Sequence, residues 1–253
     1  MKAKSSATNG LPSVNCSEFD GVRYMHLGSE WVQGSMKIAK PFDIDLEYVQ
    51  RMMAWLLFVK PESVATRHAM QLGLGSGALT KFCAKKLGLQ TTAIELNPQV
   101  IAACRLWFKL PQDSSTLSVI LADANEVVSH EHWRGQIDAL QVDLYDQEAA
   151  APVLDSEDFY QGCQSLLTPD GVMSVNLFGK NSQFEVSLEK IKRAFPRGSV
   201  WCFKPTKEGN TVVLAQNQQF SLDREELQDR ADHIDKQWGL PAKKWLKVLN
   251  PSR

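Results

Sequence analysis

The sequence predicts an α/β fold: a mostly parallel sheet with helices on both faces. Three observations predict it. Strand-like and helix-like segments alternate from residue 69 onward. A glycine-rich turn, Gln71-Leu72-Gly73-Leu74-Gly75-Ser76-Gly77, joins the first of those strands to the first of those helices. The next three strands each run out at an acid, Glu95, Asp123 and Asp143.

A chain of 253 residues suits one large domain with short extensions. Residues 1–17 are rich in Ser, Asn, Gly and Pro and read as a disordered terminus. Residues 18–45 contain a short β-hairpin, with strands at 22–27 and 31–38 around the turn Gly28-Ser29-Glu30, and Tyr24 and Trp31 are expected in the core. Residues 46–59 read as an amphipathic helix that stops before Pro61. Strands follow at 69–74, 91–95, 117–122, 137–142, 171–177, 199–204 and 211–216, and helices at 78–87, 99–108, 125–129, 157–167 and 183–195. Only Glu208-Gly209-Asn210 separates the last two strands, so they form an antiparallel hairpin at one sheet edge. Residues 46–220 are therefore expected to be a Rossmann-like domain of the methyltransferase type with seven strands, and 221–253 a C-terminal helical extension.

The net charge of −1, with no local basic run, argues against a nucleic-acid partner. The five cysteines are scattered and never spaced C-x-x-C, which argues against a disulfide framework or a zinc site and for reduced thiols in the cytoplasm. His130 and His132 lack a third ligand nearby and are expected on the surface, so no metal is expected. Cys104 is expected in the core and the 243–247 segment as a solvated helix end. The polar N-terminus carries no signal peptide, and the longest apolar run, 52–59, is too short to cross a membrane.

In an open parallel sheet, ligands bind at the carboxyl ends of the strands. The glycines Gly73, Gly75 and Gly77, with Gln71 and Ser76, allow close backbone approach to such a ligand. Glu95 lies 20 residues past Gly75, where a carboxylate accepts two ribose hydroxyls. Asp123, followed by Ala124, is placed to accept from an adenine amine; it serves equally well as a helix N-cap. The G-x-G-x-G spacing and the lack of a second mononucleotide half favour an adenosyl sulfonium over a dinucleotide.

Gly73-Leu74-Gly75-Ser76-Gly77-Ala78-Leu79-Thr80-Lys81-Phe82, Ile94-Glu95-Leu96-Asn97-Pro98, Ala122-Asp123-Ala124 and Asp143-Leu144-Tyr145-Asp146 together resemble the spermidine synthase family. Gly21-Val22-Arg23-Tyr24-Met25-His26-Leu27 and Tyr48-Val49-Gln50-Arg51-Met52-Met53 resemble its short bacterial branch. The resemblance implies transfer of an aminopropyl group from decarboxylated S-adenosylmethionine, as co-substrate rather than bound cofactor, to putrescine or a related amine. It implies Asp143 as proton acceptor, Asp146 and Tyr48 as residues that place the amine, an acid-bearing gating loop over 147–160, and a possible homodimer. The chain departs from the family where Ser76 replaces an aspartate that contacts the donor's amine, where Gln50 replaces a glutamate, and where no proline follows Asp146. Ser76 would tolerate the carboxylate of ordinary S-adenosylmethionine. That keeps open a methyltransferase acting on a small acceptor, or a non-catalytic relative that binds a nucleoside or polyamine.

Overall fold

A computed structural model of the chain describes residues 11–145, 153–178, 181–219 and 223–252. The chain opens with an antiparallel sheet of β1 (Val14–Phe19), β2 (Val22–Leu27) and β3 (Val32–Lys37). The expected hairpin is β2 and β3. The added strand β1 corrects the expectation of disorder for 14–17; residues 1–10 lie outside the described residues. Five of the six β1 residues are exposed, so backbone pairing holds the strand and no hydrophobic alternation announces it.

The main sheet contains β4 (His68–Leu72), β5 (Gln90–Glu95), β6 (Leu117–Leu121), β7 (Ile137–Val142), β8 (Leu167–Phe178), β9 (Ser199–Phe203), β10 (Asn210–Gln216) and β11 (Leu249–Pro251). Their order is β11-β9-β10-β8-β7-β4-β5-β6. The run from β8 to β6 is parallel, and β10 enters antiparallel between β8 and β9. This is a Rossmann-like fold of the methyltransferase type. It has eight strands instead of the expected seven because β11 adds to the free edge of β9. Such a short segment ending in proline carries little strand signal, and an edge is where a sheet accepts proline.

Helices α1 (Glu47–Arg51), α2 (Ala78–Phe82), α3 (Pro98–Trp107), α4 (Ala124–Ser129), α5 (Glu157–Leu166), α6 (Asn181–Ala194), α7 (Arg224–Trp238) and α8 (Ala242–Trp245) complete the chain. The segment expected as an amphipathic helix is α1 followed by a tighter 3-10 turn, Met52–Phe58, and all seven residues of that turn are buried. Burial on every side is the correction, and it comes from the C-terminal extension. Ala231, Ile234, Leu240, Ala242 and Trp245 close over Trp55 and its neighbours, in one core with the sheet residues Val172, Val212 and Leu214. Each large apolar side chain buried there contributes roughly 1.5–3 kcal/mol.

Polar side chains fix this segment along its length. Gln71, Gln141 and Ser174 sit in register on β4, β7 and β8. Gln71 Nε2 donates to Gln141 Oε1 (2.7 Å), and Ser174 Oγ donates to the Met52 carbonyl (2.9 Å). From the other side, Arg230 of α7 donates to the Leu57 carbonyl (3.0 Å). The segment that carries Tyr48 at its start is thus held from both faces.

Candidate active site

The strand order reverses between β4 and β7, and the crevice at such a switch point is where ligands bind in open α/β sheets. A cavity of ≈1310 Å³ opens there. A single small-molecule pocket holds roughly 300–1,000 Å³, so this one has room for two substrates side by side.

The glycine loop and the ends of β5 and β6 form one end. Gly73, at φ +90°, brings the loop so close to the end of β7 that a Cβ there would lie 2.2 Å from the Asp143 carbonyl oxygen. Glu95 accepts from the Leu74 N–H (3.0 Å) and the Asn97 N–H (2.8 Å), which ties the loop to the end of β5. Burial raises the Glu95 carboxyl above its ordinary value, and those backbone donors oppose the rise. Asp123 caps α4 by accepting from the Asn125 N–H (2.8 Å) while also lining the cavity. Capping and ligand binding are therefore compatible here, since each uses part of one carboxylate.

The other end centres on Asp143, just past β7. Asn176 Nδ2, on β8, donates to Asp143 Oδ1 (2.9 Å), and the Tyr48 hydroxyl donates to Oδ2 (3.3 Å). Asn210 Nδ2, at the start of β10, donates to Asn176 Oδ1 (3.2 Å), and the Tyr145 hydroxyl donates to the Asn176 carbonyl (2.9 Å). Burial raises the Asp143 carboxyl, and the Asn176 and Tyr48 hydrogen bonds pull it back. Burial, then the Asp143 charge, push the Tyr48 phenol well up, so it remains a donor at neutral pH.

Of the residues singled out from sequence, Gly73, Gly75, Glu95, Asp123, Ala124, Asp143 and Tyr48 line the cavity. Three others do not. Gln71 is spent on Gln141 inside the sheet. Ser76 is buried and donates to the Ser35 carbonyl of β3 (3.1 Å), because Gly34 leaves room for its side chain against that strand. Gly77 caps α2 and packs against Leu110. Gln50 also turns away, donating to the Ile44 carbonyl (2.9 Å). Asp146 and residues 147–152 of the expected gating loop, Glu148 included, lie outside the described residues. Of that loop's other acids, Asp155 is held by Lys190 (2.7 Å) and Tyr160 (2.8 Å), and Glu157 by Arg193 (3.6 Å), while Ser156 caps α5.

Asn176, Asn210 and Tyr145 escaped the sequence reading. A signal existed for Asn176, an amide among Val175, Leu177 and Phe178 at the end of β8. Trp31, expected in the core, is 61% exposed and stands on the cavity wall. Tyr24 is partly buried on β2. His130 and His132 are exposed, and Cys104 is buried with its thiol donating to the Gly75 carbonyl (3.0 Å).

Charge separates this cavity from the rest of the molecule. Glu30, Asp45, Glu47, Glu95, Asp123, Asp143 and Glu208 line it, and among the described residues no Lys, Arg or His does. A protein with a net charge of −1 has gathered seven carboxylates in one place. Such a cavity favours cations and opposes phosphates and carboxylates.

No protein-family model matches the chain. It is 34% identical over 245 residues to a polyamine aminopropyltransferase from Chromobacterium violaceum, covering 96% of this chain and 91% of that protein. It is 32% identical over 248 residues to one from Neisseria meningitidis serogroup A, covering 97% and 92%. The structure of a probable spermidine synthase from Corynebacterium glutamicum superposes with a TM-score of 0.70 at 16% identity, covering 90% of this chain and 85% of that one, which speaks for the fold.

Proposed function

The chain belongs to the polyamine aminopropyltransferase family, and we propose that it moves the aminopropyl group of decarboxylated S-adenosylmethionine onto putrescine or a related diamine. The observation that carries this reading is that every charged side chain among the described lining residues of this cavity, which has room for two ligands, is a carboxylate. Both substrates are cationic. Ordinary S-adenosylmethionine adds a carboxylate for which the described lining offers no cation.

Glu95 takes the ribose hydroxyls and Asp123 the adenine amine, with Gly73 and Gly75 as the close backbone wall. The acceptor amine, with a pKa near that of lysine at about 10.4, arrives protonated and must lose a proton before it attacks. Asp143 first attracts the ammonium and then accepts the proton. The nitrogen lone pair attacks the methylene carbon bonded to the sulfonium sulfur. The carbon–sulfur bond breaks with its electrons going to sulfur, leaving a neutral thioether nucleoside and a new carbon–nitrogen bond. Tyr48 and Asn176 keep the carboxylate oriented while its charge changes. Asp146 is a further candidate for holding the amine. The free thiols suit a reducing compartment, and we place the activity in the cytoplasm.

The test is calorimetric titration with decarboxylated and ordinary S-adenosylmethionine, followed by assay with putrescine. The decarboxylated donor should bind more tightly and release thioether nucleoside. Tighter binding of the ordinary donor, with methyl transfer, overturns the reading.

A further inference from the structure

We propose that Glu208, in the turn before β10, holds the far ammonium of the acceptor diamine and sets the enzyme's preference for diamines over monoamines. The inference rests on the aminopropyl-transfer reading and deepens it.

The cavity's seven carboxylates can be sorted by what already occupies them. Asp143 is the proton acceptor, and Glu95 and Asp123 stand at the nucleoside end. Asp45 is neutralised by Lys37 (3.1 Å) and Glu47 by Arg51 (2.6 Å). Glu30 stands beside the nucleoside end: its turn is joined to residues 12–13 by the Gly28 N–H to Ser13 bond, and Asn97 donates to Pro12. Glu208 remains, with no ion-pair partner among the described residues. The glutamate that the family pattern places at position 50 is a glutamine here, turned to the Ile44 carbonyl. Among the described lining residues, Glu208 is the carboxylate without an ion-pair partner nearest along the chain to the Asp143 network, two residues from Asn210.

The turn is built to hold that position. Thr206 accepts the Gly209 N–H on its carbonyl (3.2 Å) and the Asn210 N–H on its hydroxyl (3.2 Å). Gly209, at φ +101°, packs against the Phe178 ring, where a Cβ would come within 3.2 Å of it. Two residues past Glu208, Asn210 reaches Asn176, and Asn176 reaches Asp143. One hydrogen-bonded chain thus links the turn to the proton acceptor and fixes the span between two anionic groups. A span of that kind selects a diamine by length.

Putrescine and n-butylamine test this, because they share a four-carbon chain and differ in the far ammonium. In Glu208→Gln the KM for putrescine should rise roughly 10- to 100-fold, the range for a hydrogen bond to a charged group. Its kcat should change little, and kcat/KM for butylamine should move by no more than about threefold. Glu208→Asp, which keeps the charge on a shorter arm, should shift the optimum toward longer diamines. Equal losses for both amines, or no loss for putrescine, overturn the proposal. A wild-type protein that releases no thioether nucleoside with any amine removes the parent reading, and the proposal with it.

Discussion

The two ends of the cavity are built differently. At the end proposed for the nucleoside each group is fixed locally. Glu95 binds the N–H two residues ahead and the loop of the neighbouring strand, and Asp123 binds the N–H two residues ahead. At the end proposed for the amine the partners come from far along the chain. Tyr48 is 95 residues from Asp143, Asn176 is 33 residues away, and Asn210 is a further 34. Local turns make the first end. Sheet register and a clamped core segment make the second. The first should therefore tolerate loss of a single side chain in shape while losing affinity, and the second should lose chemistry.

One pair of variants breaks this contrast most directly. Asp143→Asn should lower kcat by roughly 10²–10⁴-fold, the usual contribution of a positioned base, while donor affinity by calorimetry stays within about twofold. Glu95→Gln should do the reverse: donor affinity should fall roughly 10- to 100-fold, with kcat at saturation changed much less. If Glu95→Gln lowers saturated kcat as far as Asp143→Asn does, the two ends do not act separately.

Asn176→Ala sharpens the contrast with a smaller effect. The Asn176 hydrogen bond favours the Asp143 anion against burial. Removing it raises the carboxyl further, so the acid limb of the kcat profile should move to higher pH. Activity near neutrality should fall about tenfold, in line with one lost hydrogen bond to a charged group. An unshifted acid limb would show that Asn176 does not hold the reacting carboxylate. Asn176→Gln, which keeps the amide, should recover part of the shift.

The same difference decides what could be read from the residues in order. The glycine turn, Glu95 and Asp123 are legible because each signal and its partner lie within one strand-turn-helix unit. Ser76 shows the limit even there. Its place in the loop is plain, but whether it faces ligand or β3 depends on Gly34, 42 residues earlier. Gln71 shows the same for a strand, since its partner Gln141 becomes a neighbour only when β4 and β7 pair. The 46–59 segment reads as an amphipathic helix, and the cover over the second face of 52–58 is supplied by residues past 230. Asn176 stands out as an amide among Val175, Leu177 and Phe178, but its use depends on β8 lying beside β7.

Two buried charges, Asp143 at one end and Lys81 behind the other, give the smallest effect and opposite dependences on pH. Burial raises Asp143, so the folded chain holds that proton more tightly than the unfolded chain does. Its burden on stability is absent below the ordinary carboxylate value, grows as pH rises above it, and is complete once pH passes the raised value. Lys81, on α2 behind the glycine loop, is buried against the Phe108 carbonyl (2.7 Å), and burial lowers it to about 8. Its burden is complete below about pH 8 and fades as pH climbs toward the ordinary lysine value. In the ligand-free protein at pH 7, Asp143→Asn should raise Tm by about 2–4 °C. Lys81→Met should raise it less, because the Phe108 carbonyl loses its donor. Thermal melts across pH separate the two: the Asp143→Asn advantage should close toward pH 3, and the Lys81→Met advantage toward pH 10. An Asp143→Asn advantage that persists at acid pH would mean that relief of packing, not of charge, stabilises the variant, and that the amine end carries no electrostatic strain.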